Sequence, residues 1–136
     1  MPKPPDLVVD RAEQDRQHPI VVIGAGPIGL AAAANLVERN LPFLILESGD
    51  RIAASMADWG HVRLFTPWSF LIDPACQRLL ESAGEWNSPS LEDVPFAKEL
   101  VGRYLDRIAA LDSIAPQIRL QHKVIVVARD GHDRMK

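Results

Sequence analysis

The sequence predicts an α/β fold whose strands form a parallel β-sheet, and three observations support this. Residues 20–23 are apolar and mostly β-branched, which is typical of a strand buried in a parallel sheet. A glycine-rich turn follows directly, and residues 28–37 then have the composition of a helix. A second apolar run at residues 43–46 ends on an acid, Glu47. Together these segments predict a βαβ unit, the element from which parallel sheets are built.

The turn after the first strand carries glycines in GxGxxG spacing, at Gly24, Gly26 and Gly29. Gly24 lets the chain turn sharply, and Gly26, which has no Cβ, lets a pyrophosphate approach the backbone. Gly29 lets the helix pack closely on the sheet, and Ala33 serves the same contact one turn later. The start of the helix directs free N–H groups and the positive end of its dipole at the phosphates. A GxGxxG alone is weak, but this one lies between a strand and a helix.

Glu47 completes the dinucleotide fingerprint, because it lies 18 residues after Gly29 at the end of the second strand. Its carboxylate can accept hydrogen bonds from both hydroxyls of an adenosine ribose. The same carboxylate would repel a 2′-phosphate, so the residue disfavours NADP in this site. FAD and NAD both have a free 2′-hydroxyl there, and the acid does not distinguish them.

The segment from residue 48 to residue 72 has no clean periodicity, although residues 51–58 could form a helical turn or two. Structureless loops of this length are uncommon in compact domains and are usually functional or mobile. Aromatic and basic side chains are concentrated here, at Trp59, His61, Arg63, Phe65 and Trp68. Aromatic side chains that simply cap the core would explain the same residues, and the sequence leaves both interpretations open.

Helices dominate the remainder of the chain. Asp73 followed by Pro74 predicts a helix that ends at Gly84, and Pro95 opens a second helix. That helix has a single apolar stripe, formed by Phe96, Leu100, Tyr104, Ile108 and Leu111.

A third strand region is predicted from Ile118 through Leu120 to residues 124–127. His132 lies near Asp130 and Asp133, but we interpret this group as a charged tail. No metal site is expected.

The composition excludes several classes of protein. A net charge of −3 and a pI of about 5.8 give no indication of nucleic acid or of an anionic membrane surface as a partner. No apolar run approaches the roughly 18 residues that span a bilayer. Cys76 is the single cysteine, which rules out a CxxC redox pair or a Cys-based zinc site within this sequence. Residues 1–19 are polar and Pro-rich without a signal-peptide pattern, so a flexible lead-in and a cytoplasmic location are expected.

The segment GAGPIGLAAAANL with its downstream acid resembles the N-terminal FAD-binding segment of two-dinucleotide-binding-domain flavoproteins. That group includes flavin monooxygenases and pyridine-nucleotide-dependent oxidoreductases, and Pro27 after the second glycine is frequent in it. The block WGHVRLFTPW is similar to bacterial monooxygenase-like members. The resemblance implies a Rossmann-like three-layer FAD/NAD(P)-binding fold at residues 20–129, partial and with an incomplete sheet. A helical insertion at about 73–111 and a tail at 130–136 complete this division.

The resemblance also implies which residues bind the cofactor. Gly24, Gly26, Pro27 and Gly29 match the pyrophosphate loop. The other matching positions are Glu47 at the ribose, Ser48 near the adenosine half, Arg63 near the pyrophosphate or flavin, and Val124, whose backbone meets the adenine. Many relatives carry a Gly-Gly pair after the ribose acid, whereas here Gly49 stands alone before Asp50.

The function implied by this resemblance is the FAD-binding portion of an FAD-dependent, NAD(P)H-linked oxidoreductase or monooxygenase. FAD is favoured over NAD in this site. No catalytic side chain is expected, because the flavin carries the redox chemistry. A second glycine-rich turn for NAD(P)H and a strand that contacts the flavin are expected beyond Lys136. The alternatives are a truncated or stand-alone dinucleotide-binding module without activity and, less favoured, a single-site NAD-binding protein. Substrate and oligomeric state are not indicated.

Overall fold

The computed structural model describes residues 18–84 and 86–131. The predicted lead-in lies outside the described residues except for His18 and Pro19, and so do His132 and Asp133 of the tail. Three strands and a series of helices follow one another in an α/β arrangement. In chain order they are β1 (Ile20–Ile23), α1 (Pro27–Glu38), β2 (Phe43–Leu46), α2 (Ala54–Ala57), α3 (Trp68–Leu71), α4 (Pro74–Ala83), α5 (Ala97–Leu100), a π-helical turn (Val101–Leu105), α6 (Asp106–Ala109), a 3₁₀ turn (Ala115–Gln117) and β3 (Ile118–Arg119).

The sheet has the order β1-β2-β3, and both pairings are parallel. β1 aligns with β2 from Ile20 opposite Phe43 to Ile23 opposite Leu46. The predicted α/β class, the parallel sheet and the first βαβ unit are therefore confirmed. Asn40 has a left-handed conformation after α1, with a φ of 53°.

The core lies between one face of the sheet and the helices. Phe43 and Ile45 of β2 are buried, and Leu30, Ala33 and Ala34 of α1 are buried in the same cluster. Because side chains alternate along a strand, Val21 and Ile23 belong to the other face, where they are 50% and 59% exposed. Helices therefore cover one face of this sheet, while the other is open in the described part of the chain.

α4 begins and ends as the sequence predicts. The Asp73 carboxylate accepts hydrogen bonds from the backbone N–H groups of Ala75 and Cys76, at 2.9 and 3.1 Å. Pro74 occupies the first turn, and Gly84 ends the helix with a φ of 80°. A cap of this kind stabilises a helix by about 1 kcal/mol.

The next helix differs from the prediction in two respects. It begins at Ala97 instead of Pro95, because Phe96 has an extended backbone and donates its N–H to the Glu99 carboxylate at 2.7 Å. It also contains the π-helical turn Val101–Leu105, which the apolar spacing does not reveal. The predicted stripe is otherwise correct, since Leu100, Tyr104 and Ile108 are buried.

The predicted third strand is mostly wrong. Only Ile118–Arg119 pairs with β2, and the chain then turns at Gln121, whose φ is 56°. Residues 124–127 belong to no strand, and Ile125, Val126 and Val127 are 73–84% exposed. High β-propensity reflects packing against neighbouring strands, and these residues have no such neighbour in the described part of the chain.

Within residues 18–84 and 86–131, no helix has both the length and the apolar composition that crossing a membrane requires.

Candidate functional site

The glycine-rich loop has a geometry that depends on two of its three glycines. Gly24 has a φ of 94°, a left-handed conformation that other residues rarely adopt. A Cβ on Gly29 would lie only 1.9 Å from the carbonyl oxygen of Gly24, so α1 contacts the loop backbone directly. The predicted roles of Gly24 in the turn and of Gly29 in close packing are both in accord with this geometry.

Gly26 differs from these two glycines, because no contact in the described part of the chain requires a glycine there. Its φ of −90° and ψ of −167° suit any residue, and a Cβ would meet no atom within 4 Å. Gly26 is the residue before α1, and no side chain caps that end of the helix. A position that is free of side chains beside uncapped N–H groups suits the close approach of a phosphate.

Glu47 is buried, at 9% exposure, and its carboxylate binds the loop itself. One oxygen, Oε1, accepts a hydrogen bond from the backbone N–H of Ala25 at 2.9 Å. The other, Oε2, accepts from the N–H of Gly49 at 2.6 Å. The acid at the end of β2 thus joins the glycine-rich loop to the segment that follows β2. The spacing of the fingerprint does not reveal this role.

Gly49 is required beside Glu47 for a steric reason. A Cβ at Gly49 would lie 2.5 Å from the Cβ of Ala54 and 3.2 Å from Oε2 of Glu47. The lone glycine that departs from the Gly-Gly pattern of relatives therefore leaves room for the carboxylate. Its position two residues after the acid was the available signal for this role.

Three further backbone hydrogen bonds hold the same region. The backbone N–H of Ala53 donates to the carbonyl of Ala25 at 2.9 Å, so the segment after β2 packs on the glycine-rich loop. The backbone N–H of His122 donates to the carbonyl of Glu47 at 2.8 Å, and the backbone N–H of Gln121 donates to the carbonyl of Gly49 at 2.9 Å. The turn after β3 therefore supports the segment that carries the acid.

The remaining predicted site residues have fewer contacts with the glycine-rich loop and Glu47. Pro27 is the first residue of α1 and is exposed, and Ser48 is exposed beside Glu47. Val124 is half-buried but lies outside any strand, contrary to its predicted setting. The structure thus brings together the three glycines and Glu47, with Pro27 and Ser48 beside them in the chain.

Arg63 lies beside Phe96, the residue that precedes α5. Its backbone forms an isolated antiparallel bridge with Phe96, and its guanidinium carbon lies 4.8 Å from the centroid of the Phe96 ring. The Nζ of Lys98 lies 5.8 Å from the same centroid. These contacts do not join Arg63 to the glycine-rich loop, so its predicted role near the pyrophosphate or flavin stays a prediction.

The aromatic residues of the 48–72 segment divide into two kinds. Trp68 is 2% exposed and packs edge-on against Tyr104, with ring centroids 6.4 Å apart. Phe65 is fully exposed and Phe70 is 79% exposed. Capping of the core therefore explains Trp68 but not the two phenylalanines.

Cys76 and Tyr104 form a buried pair that is structural. Burial raises the pKa of the Cys76 thiol to about 11, which keeps it protonated at neutral pH. Burial also raises the pKa of Tyr104, whose hydroxyl accepts a hydrogen bond from the backbone N–H of Asp73 at 2.9 Å. A thiol held in this state does not supply thiolate chemistry.

Comparison with known proteins places these features in a family context. The sequence profile of the family described as pyridine nucleotide-disulphide oxidoreductase matches residues 21–135. The chain is 59% identical over 52 residues to the probable indole-3-pyruvate monooxygenase YUCCA8 of Arabidopsis thaliana, a match that covers 37% of this chain. The chain spans only 12% of the length of that relative.

Solved structures give a consistent result for the fold. Bacillithiol disulfide reductase Bdr (YpdA) from Staphylococcus aureus superimposes with a TM-score of 0.60 at 19% identity, covering 79% of this chain and 29% of that one. OTEMO in complex with FAD and NADP superimposes with a TM-score of 0.53 at 22% identity, covering 76% of this chain and 19% of that one. These similarities agree with the predicted Rossmann-like fold.

Proposed function

The chain belongs to the pyridine nucleotide-disulphide oxidoreductase family, and from this premise we propose that residues 24–47 bind the ADP half of FAD. The resemblance to the FAD-binding segment of flavoproteins, predicted from the glycines and the acid, is confirmed by this membership, and the similarity to an indole-3-pyruvate monooxygenase agrees with it. The observation that carries the proposal is the surface at Gly26, where a Cβ would meet only open space.

The loop fits a pyrophosphate for a reason that is independent of family. Gly24 and Gly29 are required by the fold, but the protein itself does not require a glycine at Gly26. A ligand that contacts the backbone at Gly26 explains why a side chain is absent there. The N–H groups at the start of α1 would then bind the phosphate oxygens.

Glu47 would bind the ribose while it holds the loop. An ionised carboxylate offers about four acceptor positions, and the N–H groups of Ala25 and Gly49 use two of them. The two that remain can accept hydrogen bonds from the ribose hydroxyls. Because the carboxylate is already fixed from both sides, ribose binding costs little side-chain entropy.

The other assignments belong to the same proposal. Ser48 would lie near the adenosine half, Arg63 near the pyrophosphate or flavin, and Val124 near the adenine. The dinucleotide-binding domain would comprise residues 20–129, with its helical insertion at about 73–111. In the whole protein FAD would supply redox chemistry with NAD(P)H as electron donor, while this chain's residues position the cofactor and limit its contact with water.

The reaction of the whole protein is an oxidoreductase or monooxygenase reaction in this proposal. A relative named for a monooxygenase reaction supports that class, although the chain covers only 12% of its length. A cytoplasmic location is part of the proposal and can be tested by fractionating cells that express the protein.

Titration with FAD tests the binding proposal. The purified chain should quench the fluorescence of added flavin saturably, and the bound cofactor should be released on denaturation. Gly26→Leu should abolish binding while leaving the far-UV circular dichroism and the melting temperature unchanged, because the new side chain has free space. Gly102→Ala, which also adds a side chain in open space, is the matched control and should bind FAD normally. Normal FAD binding by Gly26→Leu would refute the proposal.

A second candidate function is a dinucleotide-binding module without activity of its own. Its support is the geometry at Gly26 and Glu47, which accounts for binding of a dinucleotide without any reaction. An assay of NADPH oxidation by the FAD-loaded chain distinguishes the two candidate functions. Turnover that is lost in Gly26→Leu supports an enzyme, whereas FAD binding without turnover supports a module.

A further inference from the structure

Two cavities have Trp86 and Arg107 in common, and no described residue of either lining belongs to the glycine-rich loop. The first, of about 300 Å³, lies between the ends of α4 and α6 and has an apolar wall that includes Leu80, Ala83 and Leu111. Asp112 and Arg107 also line this first cavity. An aromatic and aliphatic wall of this kind suits a flat apolar group.

The second cavity, of about 220 Å³, is polar and cationic. Asn87, Gly102, Arg103 and Arg107 line it together with Trp86. Trp86 and Arg107 also line the first cavity, so the two cavities adjoin each other. The described lining of the second cavity includes no carboxylate, so an anion there would meet two guanidinium groups and one amide.

Trp86 is held in place from two sides. Its Nε1–H donates a hydrogen bond to the carbonyl oxygen of Arg103 at 3.1 Å. Its ring packs on the Tyr104 ring with a centroid distance of 6.4 Å. The indole is therefore held in place where it lines both cavities, and a ligand would lose little affinity through ordering it.

The π-helical turn Val101–Leu105 carries Arg103, one of the two cationic residues of the lining. Such turns are rare and occur frequently at functional sites. Arg103 lies in this turn and Arg107 one turn later, and like charges four residues apart on a helix repel each other. Neither guanidinium forms an ion pair within residues 18–84 and 86–131, although Arg103 lies 5.7 Å from the centroid of Trp68. A bound anion would relieve this repulsion.

We propose that the two cavities form one binding site for an aryl carboxylate, with its ring against Trp86 and its carboxylate between Arg103 and Arg107. Guanidinium groups bind carboxylates through charge-assisted and often paired hydrogen bonds. Asp112 at the first cavity disfavours a second negative charge at the ring end, so the ligand is a monoanion. The site is independent of FAD binding.

Indole N–H signals of the full ¹⁵N-labelled chain test this site. The sequence has three tryptophans, and Trp86→Phe identifies the signal of Trp86. We expect 2-naphthoate to shift that signal saturably, with a dissociation constant in about the millimolar range. The neutral analogue 2-naphthylmethanol and inorganic phosphate should each bind at least about tenfold more weakly.

Three variants and one control distinguish the contribution of charge to binding from that of cavity shape. Arg103→Gln and Arg107→Gln should each weaken 2-naphthoate binding about tenfold, whereas Arg129→Gln, outside the lining, should not change it. Gly102→Leu should abolish binding by filling the second cavity, since a Cβ there meets no atom within 4 Å. If either arginine variant unfolds, Gly102→Leu decides the result. Absence of saturable binding, equal binding of the neutral analogue or of phosphate, or full binding by Gly102→Leu would overturn the proposal.

Discussion

Substitution of Gly29 by alanine tests how closely α1 packs on the glycine-rich loop. The new Cβ would lie 1.9 Å from the carbonyl oxygen of Gly24 and 3.0 Å from its carbon. The obstacle is backbone, which cannot rotate away as the tip of a side chain can. The helix and the loop must therefore move apart by about 1 Å, which disturbs a packed core.

The size of the effect follows from two opposing contributions. Replacing a helical glycine by alanine normally stabilises a protein by up to about 1 kcal/mol. Overpacking costs about 1–3 kcal/mol, and here the shift also strains the hydrogen bond from Gly24 N–H to the Leu46 carbonyl, which is 2.8 Å long. We expect a net loss of about 2 kcal/mol, which corresponds to a fall in melting temperature of about 6–10 °C.

Thermal unfolding followed by far-UV circular dichroism measures this difference. Gly102→Ala is the control, because its Cβ meets no atom within 4 Å and its melting temperature should stay the same or rise. If Gly29→Ala melts at or above the temperature of the wild type, the close contact between Gly29 and Gly24 does not exist as described.

Three further predictions concern the acid and the buried pair. Glu47→Gln should lower the free energy of unfolding by about 1–3 kcal/mol without FAD, because the amide cannot accept from both Ala25 and Gly49; unchanged stability in urea would contradict this. Tyr104→Phe should lower the free energy of unfolding by about 1–2 kcal/mol in the same assay, because the backbone N–H of Asp73 loses its acceptor. A loss below about 0.5 kcal/mol would argue against that hydrogen bond. The pKa of Cys76 rises from an ordinary 9.0 to about 11 in the folded state, so the unfolded chain ionises first and stability falls as pH rises from 9 to 11. Cys76→Ala should reduce that alkaline loss by about 2 kcal/mol between unfolding curves at pH 8 and pH 11, and an unchanged loss would refute the assignment.

Several local elements were predictable from the sequence because interactions between residues close in the chain determine them. The apolar runs of β1 and β2, the glycine turn and the Asp73 cap each act within a few residues, and the structure has all of them. The turn at Gly24 and the close packing at Gly29 were likewise predicted from spacing, and the structure has both. Such features need no knowledge of the rest of the chain.

Features that depend on distant partners were not predictable. The hydrogen bond from Ala25 N–H to Glu47 joins residues 22 positions apart, and only the folded βαβ unit reveals it. Residues 124–127 have the composition of a strand, yet strand formation needs a neighbour that this part of the chain does not provide. The π-helical turn could not be predicted from the apolar stripe, because the spacing of apolar residues indicates which face of a helix is buried and not which backbone groups are hydrogen-bonded.

Backbone amide spectra of the ¹⁵N-labelled chain during titration with FAD test the central claim most directly. The account predicts saturable shifts of the amide signals from Gly24, Gly26 and Gly29 and of the signals around Glu47. Parallel shifts should appear with ADP, since the ADP half carries the contacts. Saturable binding that leaves these signals unmoved, or no binding of either ligand, would contradict the account.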